Sequence, residues 1–290
     1  MLRLGLLQPS DGDNLNPILQ VKGLSKIYGP GCPSCFELTG PEKDTNLCPI
    51  CGTVISVRGI DFDLYEGEIL GIIGESGSGK STVVKSLFFD ETPEQGTADY
   101  YEHGVPVSLF EQNAAAKRRL RNQSFGMVYQ NPHLGLNFDI SAGGNIAERL
   151  LVNGTPNYGK IRARGIELLK RTEVLIERMD EKPSSFSGGM QQRVQIAKAL
   201  ATNPPLLFLD EVTTGLDLSV QAAILDLILE IQEEQKTAMI AVTHDLGVIR
   251  LLANRTLVMK YGQIVESGLT DQILEDPQQE YTQKLIASAL

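Results

Sequence analysis

Residues 74–81, Gly-Glu-Ser-Gly-Ser-Gly-Lys-Ser, match the phosphate-binding pattern G-x-x-x-x-G-K-[ST]. The glycines let the backbone fold around phosphate oxygens with N–H groups pointing inward, and the following helix N-terminus adds positive potential. We expect Lys80 to reach the β- and γ-phosphates of a nucleotide and the Ser81 hydroxyl to bind Mg²⁺. This pattern alone does not distinguish an ATPase from a GTPase or a kinase. The predicted nucleotide-binding residues, called the phosphate loop below, are Gly74, Glu75, Ser76, Gly77, Ser78, Gly79, Lys80, Ser81 and Thr82.

Two carboxylates follow a second apolar run, Leu206–Leu209. Asp210 is expected to hold Mg²⁺ through water, and Glu211 to polarise the attacking water as the catalytic base. Two adjacent acidic residues are common on protein surfaces. Here they end a strand that reads as buried, in a chain that already carries a phosphate loop, so a magnesium and catalytic role is favoured.

The segment Ser187–Arg193, Ser-Gly-Gly-Met-Gln-Gln-Arg, resembles the signature sequence of ABC ATPases. Ser187, Gly188 and Gly189 would lie at a helix N-terminus, where a hydroxyl and free backbone N–H groups bind an anion. The resemblance implies that these residues contact the γ-phosphate held by a second cassette. It therefore implies that ATP is hydrolysed only when two cassettes, identical copies or paralogues, face each other.

Four further residues match motifs of the same family, in the family's order. By resemblance, Tyr28 stacks on adenine, and Gln130 joins Mg²⁺ to a helical subdomain. Asp217 lies in the loop that crosses the interface between cassettes, and His244 contacts the γ-phosphate as a second catalytic residue. The chain departs from the family at Val212, where proline is usual, and valine there is expected to loosen the turn that carries the carboxylates.

The four cysteines form two C-x₂-C pairs, a spacing that indicates a four-thiolate zinc site. The polar segment Phe36–Leu47 between the pairs has too few apolar residues to fold alone, so a metal would supply the folding energy. An iron–sulfur cluster would use the same ligands, and disulfides are disfavoured in a reducing compartment. We predict an inserted zinc-knuckle module, residues 30–53, called the cysteine module below. The predicted ligands are Cys32, Cys35, Cys48 and Cys51.

Alternating strand and helix patterns surround these motifs, which indicates an α/β fold. The resemblance implies one P-loop NTPase ABC cassette over residues 1–290, with a central sheet, an antiparallel β subdomain and an α-helical subdomain at residues 131–200. The predicted strands are Ile18–Leu24, Val54–Leu64, Ile69–Ile73, Leu206–Leu209 and Thr237–Val242. The predicted helices begin near Lys80 or span Ala142–Leu151, Lys160–Glu177, Met190–Thr202 and Leu218–Glu234, with two short helices after Asp271 broken at Pro277.

Several stretches resemble the ATP-binding subunits of carbon–phosphorus lyase complexes, which attach to a soluble enzyme core that degrades phosphonates. They are Ser141–Leu150, Asn157–Arg162, His244–Ala253, Val258–Asp271 and Asp276–Leu290. The competing resemblance is to the ATPases of oligopeptide or nickel importers, which share the Pro-x-x-x-Tyr-Thr tail, act with membrane permease subunits and commonly continue further. The lyase branch is favoured, although its pattern has only a short loop where this chain carries the cysteine module.

The bulk composition is that of a packed globular protein, with 42% apolar residues in 290. Its apolar runs fall short of the roughly 18 to 20 residues needed to cross a bilayer, so we expect a cytoplasmic protein. The net charge of −10 argues against a nucleic-acid partner. The basic cluster Lys117–Arg121 is interpreted as a solvated helix face.

Overall fold

The computed structural model describes residues 17–288. Its strands are β1 Leu19–Tyr28, β2 Val54–Leu64, β3 Ile69–Ile73, β4 Gln95–Glu102, β5 Val105–Ser108, β6 Phe125–Val128, β7 Leu206–Asp210, β8 Ala238–Val242, β9 Arg255–Lys260 and β10 Gln263–Leu269. Its α-helices are α1 Lys80–Leu87, α2 Ala114–Gln123, α3 Pro132–Gly135, α4 Ala142–Val152, α5 Tyr158–Arg171, α6 Gly188–Ala199, α7 Leu218–Gln235, α8 Leu246–Leu252, α9 Thr270–Glu275 and α10 Glu280–Ala287. Short 3₁₀ helices span Pro41–Lys43, Ile176–Arg178 and Pro183–Ser185.

The central sheet has six strands in the order β10-β9-β3-β8-β7-β6. Its strands are parallel except for β10, which pairs antiparallel with β9. Every residue of β3, β7 and β8 is buried, as expected for short apolar strands covered on both faces. Because β3, β8 and β7 are neighbours, the loops that follow them meet at one edge, where α/β proteins bind ligands.

Two hydrophobic cores lie on opposite faces of this sheet. On one face, the central strands pack against α4 to α7, with Ile146, Leu168 and Ile228 among the buried side chains. On the other face, they pack against α1 and the antiparallel four-stranded sheet, whose order is β2-β1-β4-β5. Phe125 and Phe208 meet edge to face there, with ring centres 5.9 Å apart. The predicted fold class, a central sheet with antiparallel β and helical parts, is confirmed.

Only helices and turns lie between β6 and β7. This region contains the helical subdomain predicted at residues 131–200, whose bounds stay a prediction. The helix expected over Lys160–Glu177 ends earlier, at Arg171, because Thr172 caps it and bonds back to the carbonyls of Leu168 and Leu169. Glu173 then adopts a left-handed backbone conformation, φ 54°, which cannot continue the helix.

The basic cluster Lys117–Arg121 lies on α2 and pairs with acidic residues of the same chain. Arg121 contacts Asp90 at 3.0 Å and Arg119 contacts Glu102 at 3.6 Å. These ion pairs are consistent with the solvated helix face expected from the sequence. Within residues 17–288, no helix is both long enough and apolar enough to cross a bilayer.

The cysteine module leaves the end of β1 and returns at the start of β2. Its backbone is held by the isolated bridges Gly40↔Thr45 and Leu47↔Val54 and by the short helix Pro41–Lys43. The module thus interrupts the β1–β2 pair at its Tyr28 end, where Tyr28 faces Val54.

Candidate functional site

The phosphate loop joins β3 to α1 and is shaped by glycines with positive φ. Gly79 is the left-handed N-cap of α1, at φ 104°, and a Cβ there would come within 2.0 Å of the Ser56 carbonyl oxygen. Gly74 is restricted in the same way by the Met259 carbonyl oxygen, 2.2 Å from its ideal Cβ position. Only glycine fits these two places, so the backbone can close tightly enough to surround phosphate oxygens.

Lys80 lies at the centre of this loop and is buried. Its ammonium donates hydrogen bonds to the carbonyl oxygens of Gly74 at 2.8 Å and Glu75 at 2.9 Å. Burial lowers the pKa of Lys80, while the carboxylates of Glu211 and Asp210 act in the opposite direction. A buried cation beside backbone N–H groups suits a phosphate ligand.

The other polar side chains of the loop differ in their exposure to solvent. Glu75 and Ser76 are exposed. The hydroxyl of Ser78 is buried and has no hydrogen-bond partner among residues 17–288. A buried hydroxyl without a partner is costly in a folded protein, and a phosphate oxygen would satisfy it.

Asp210 ends β7 beside the first turn of α1. It is 3% exposed, and its Oδ1 accepts a hydrogen bond of 2.7 Å from the Ser81 hydroxyl. Burial raises the pKa of Asp210, and the bond from Ser81 acts in the opposite direction. A hydroxyl and a carboxylate so close together are oxygen ligands of the kind that Mg²⁺ prefers.

Glu211 is surrounded by polar side chains from two other segments and from its own turn. Its Oε2 accepts hydrogen bonds from Gln130 Nε2 at 2.7 Å and from Thr214 Oγ1 at 3.3 Å. Its Oε1 lies 3.4 Å from His244 Nδ1. Glu211 has a left-handed φ of 49°, a conformation that costs a non-glycine residue about 1 to 3 kcal/mol and clusters at functional sites. The structure therefore brings Gln130, Glu211 and His244 together.

Val212 occupies the position where the family usually has proline. Its side chain is 5% exposed and packs in the core shared with α4 to α7. The preceding Glu211 N–H donates to the Val242 carbonyl oxygen at 2.8 Å. Burial of the valine and this backbone bond hold the turn, so the loosening expected from the loss of proline is opposed by packing.

Tyr28 lies beside the end of the phosphate loop. The Tyr28 side chain is 41% exposed, and Lys26 Nζ is 5.2 Å from the centre of its ring. Burial raises the pKa of the Tyr28 phenol, and a hydrogen bond with Thr82 acts in the opposite direction. The Thr82 hydroxyl also lies 2.8 Å from Ser56 Oγ. A half-exposed ring next to the loop leaves one aromatic face available for stacking.

The signature segment forms a separate surface at the start of α6. Ser187 is the N-cap of this helix and accepts a long bond of 3.4 Å from the Met190 N–H, while Ser187 and Gly188 are exposed. Asp217, the N-cap of α7, lies across a cavity of about 240 Å³ and accepts a bond of 2.6 Å from Ser219, which lowers its pKa. The residues that line this cavity are Ser187, Gly189, Met190, Arg193, Gly215, Leu216, Asp217 and Val220.

This surface is not continuous with the phosphate loop. In the part of the chain that the structure describes, no phosphate-loop residue lines the cavity at Ser187. The structure thus gathers most predicted site residues at the β3, β7 and β8 edge but leaves Ser187, Gly188, Gly189 and Asp217 elsewhere. One chain presents two separate groups of candidate site residues, called half-sites below.

The four cysteine sulfurs converge on a single point. All of them lie within 4.8 Å of one another, and the Cys32–Cys48, Cys32–Cys35 and Cys35–Cys51 pairs are 3.7, 3.5 and 3.4 Å apart. A tetrahedral zinc site, with metal–sulfur bonds of about 2.3 Å, places its sulfurs about 3.8 Å apart. The cysteines are free thiols, so the disulfide alternative is not formed.

The thiols of this cluster differ in acidity. Burial raises the pKa of Cys35 to about 12, whereas hydrogen bonds with Thr53 lower the pKa of Cys51 to about 6. Thiolate is the metal-binding form of cysteine, so the hydrogen bonds with Thr53 favour the form of Cys51 that binds a metal. The spacing and the donor set fit one metal ion.

Two contacts at the site were not anticipated from the sequence. Thr214 touches the Glu211 carboxylate, and Asn46 of the cysteine module donates from Nδ2 to the Gly77 carbonyl oxygen at 3.3 Å. The threonine could have been noted because it follows the acidic pair by three positions. No sequence signal identifies Asn46, because the path of the inserted module cannot be read from its composition.

Comparisons with known proteins agree with this geometry. The family model described as ABC transporter matches residues 57–214. A phosphonates utilization ATP-binding protein from Escherichia coli (strain K12) is 46% identical over 274 residues, which covers 94% of this chain and 98% of that protein. An oligopeptide transport ATP-binding protein from Bacillus subtilis (strain 168) is 40% identical over 248 residues, 82% of this chain and 67% of that protein.

Solved structures lead to the same family. A dimeric ATP-binding cassette in a post-hydrolysis state, bound to ADP and Pi, superposes with a TM-score of 0.74 at 27% identity, covering 87% of this chain and 98% of that one. The phosphate loop, the acidic pair and the signature helix lie in a fold shared with these cassettes. The chain therefore belongs to the ABC transporter family and is an ABC-type ATPase.

Proposed function

We propose that this chain binds Mg-ATP at Gly74–Thr82 and hydrolyses it in a site completed by the signature residues of a second cassette. The observation that carries the proposal is the separation of the two half-sites. The exposed N-terminus of α6 presents Ser187 to solvent rather than to the chain's own phosphate loop. Two copies related by a twofold axis would pair each loop with the other copy's signature. The dimeric state of the solved cassette supports this arrangement.

Mg²⁺ fits the oxygen donors beside the loop. Ser81 and Asp210 would hold it, with Gln130, which immediately precedes the helical subdomain at residues 131–200, completing the set. When bound, the ion neutralises charge on the β- and γ-phosphates. Lys80 adds its own charge to the same phosphates, and Ser78 offers a buried hydroxyl.

Glu211 acts as the general base in this proposal. Gln130 and Thr214 each donate to Oε2, which leaves lone pairs of the carboxylate to accept a proton from water. His244 faces the other oxygen and is half-exposed, so it can turn toward a γ-phosphate without losing a buried contact. Tyr28 stacks on the adenine, since its ring is exposed beside Thr82.

The partner is a soluble phosphonate carbon–phosphorus lyase-type complex, in which closure of the cassettes drives a conformational change. Support comes from the phosphonates utilization relative, which is 46% identical along 98% of its length. The lyase-like stretches of the sequence point to the same branch. A second candidate, the ATP-binding subunit of an oligopeptide or nickel-type importer, is favoured by the 40% identical oligopeptide transport relative and a 32% identical dipeptide transport relative from Escherichia coli (strain K12).

Affinity purification of the tagged chain from its native host, grown on a phosphonate as phosphorus source, tests the partner. We expect soluble lyase-type subunits to co-purify in stoichiometric amounts, since a cassette transmits work only to what it is docked on. Cells grown on inorganic phosphate serve as the control. Recovery of membrane permease subunits instead would move the assignment to the importer.

The cysteine module would hold one structural zinc ion. The four sulfurs are spaced for a single tetrahedral ion, whereas an iron–sulfur cluster adds bridging sulfides and needs its thiolates further apart. The ion would cross-link the two C-x₂-C turns. Without it, the turns are connected through the polar segment 36–47. The buried apolar cluster at the module is small and consists of Cys35, Cys48 and Ile55 of the adjoining strand β2.

We predict about one zinc per chain in protein purified without air, and its loss in a Cys35→Ala variant. Cys35 is the right position to change because its sulfur lies within 3.5 Å of two others and is 3% exposed. Metal content is measured by inductively coupled plasma mass spectrometry. Ser34→Ala is the matched control in the same turn and should retain the metal. Finding neither zinc nor iron in the wild-type protein would contradict the assignment of a metal site to the four cysteines.

A further inference from the structure

We propose that the metal-bound cysteine module sets the conformation of the phosphate loop, so that metal occupancy tunes the affinity for Mg-ATP. The proposal rests on the nucleotide and zinc sites assigned above and adds a link between them. Two side chains of the segment between the cysteine pairs, Asn46 and Asp44, form that link. Both are positioning residues, which act on ATP through the loop.

The direct contact is made by Asn46. Its side-chain amide donates to the Gly77 carbonyl oxygen at 3.3 Å. The Gly77–Ser78 peptide lies between glycines at φ 80° and φ 104°, Gly77 and Gly79, and a Cβ on Gly77 would meet no atom within 4 Å. The N–H of this peptide donates to the Glu75 carbonyl oxygen at 3.2 Å, whereas its carbonyl oxygen faces the cysteine module, and glycine at position 77 permits other conformations. The Asn46 amide, a donor from outside the loop, therefore adds to the hold on this peptide orientation.

The second contact runs through Lys260, at the end of β9. Lys260 Nζ forms an ion pair with Asp44 of the cysteine module and lies 5.1 Å from the centre of the Tyr281 ring. The Tyr281 hydroxyl accepts a hydrogen bond of 3.2 Å from the Glu75 N–H. Glu75 is the second residue of the phosphate loop, so Asp44 and Asn46 reach the loop from two sides.

Both side chains lie in the segment that connects the two cysteine pairs. Asn46 lies two residues before Cys48. Its backbone carbonyl oxygen accepts a hydrogen bond of 2.7 Å from the Ile55 N–H, which fixes its backbone against β2. Asp44 has a left-handed φ of 49° at the end of the short helix Pro41–Lys43, within the turn closed by the Gly40–Thr45 bridge. The apolar cluster beneath this turn consists mainly of the cysteines. A metal ion that joins them orders the segment, and its removal releases Asp44 and Asn46 together.

The consequence is a change in binding rather than in chemistry. Neither residue touches Glu211, Asp210 or the signature half-site in the structure. Loss of the two contacts should raise the dissociation constant and the KM for Mg-ATP, while kcat stays near its normal value. The effect of one neutral hydrogen bond corresponds to about a 2- to 10-fold loss of affinity.

The test is Mg-ATP binding, followed by equilibrium titration with a fluorescent ATP analogue and competition by ATP. Zinc-loaded wild type is compared with zinc-depleted wild type, prepared with a chelator under reducing conditions, and with zinc-loaded Asp44→Ala/Asn46→Ala. Each of the last two should bind about 2- to 10-fold more weakly than the loaded wild type. Zinc depletion of the double variant should cause no further loss, because the link is already cut. Glu42→Ala/Lys43→Ala, on exposed neighbours in the same turn, is the matched control.

Each outcome separates this link from the underlying assignments. Equal affinities of loaded and depleted wild type, or a full effect of depletion in the double variant, would overturn the link. Absence of bound zinc would instead remove the metal site, and absence of ATP binding in loaded wild type would remove the nucleotide site. Because depletion can also unfold the module, the zinc-loaded double variant tests the two contacts without that complication. Wild-type affinity in that variant, at unchanged metal content, contradicts the proposal.

Discussion

Glu211→Gln should reduce steady-state ATP hydrolysis at least about 100-fold while the protein still binds Mg-ATP. Glutamine keeps the size of the side chain and its contacts with Gln130 and Thr214, so the turn should stay in place. It cannot accept a proton from water, so the chemical step is lost and ATP stays bound. The measurements are phosphate release and retention of radiolabelled ATP after rapid desalting.

The control for this variant is Glu66→Gln, an exposed carboxylate in the turn before β3, at the opposite end of that strand from the phosphate loop. It should hydrolyse ATP at the wild-type rate. Unchanged turnover in Glu211→Gln would show that another group activates the water. His244 would be the next candidate, since its Nδ1 lies 3.4 Å from the same carboxylate.

Ser187→Arg should abolish hydrolysis and leave ATP binding to the isolated chain intact. Ser187 is exposed at the N-cap of α6, beside the cavity that it shares with Asp217, so an arginine can extend into solvent without unfolding the chain. In a pair of cassettes, the same arginine would occupy the space required by the other copy's γ-phosphate. The expected loss of turnover exceeds about 100-fold, because the phosphate would lose a helix N-terminus and a second set of N–H donors.

The control for Ser187→Arg is to mix it with a second variant, Lys80→Ala. Lys80→Ala damages the phosphate loop and leaves the signature intact, whereas Ser187→Arg does the reverse. A mixed pair contains one site built from the two intact halves, so we expect each variant alone to be inactive and an equimolar mixture to recover part of the activity. Wild-type hydrolysis by Ser187→Arg alone would contradict a shared site.

The β3–α1 unit and the buried strand β7 could be predicted from the sequence with their bounds nearly intact. Both faces of such strands are covered, so every position is apolar. A short apolar run that ends in glycine or a carboxylate therefore identifies a buried strand from the sequence. The antiparallel strands β4 and β5 were not predicted. Their exposed residues, such as Gln95 and Val105, give little alternation of polar and apolar positions. Strands β6, β9 and β10 and helices α2, α3 and α8 are likewise absent from the predicted elements.

The proximity of the site residues could be predicted only in part. Lys80 follows β3 and Asp210 ends β7, and only β8 lies between these strands in the parallel sheet. Their approach at one edge of the sheet therefore follows from topology. The contact between Asn46 and Gly77 depends on how an inserted turn folds back over the sheet, which local propensity does not encode. The left-handed backbone of Glu211 is likewise set by tertiary contacts rather than by its own preference.

The mass of Glu211→Gln in solution tests most directly whether two cassettes share the ATP site. Size-exclusion chromatography with multi-angle light scattering, with and without Mg-ATP, distinguishes the 31.7 kDa chain from a pair. We predict a single chain without nucleotide, twice that mass with Mg-ATP, and no such doubling when Ser187→Arg is added to the same protein. A Glu211→Gln protein that retains ATP yet keeps the mass of one chain would contradict the account.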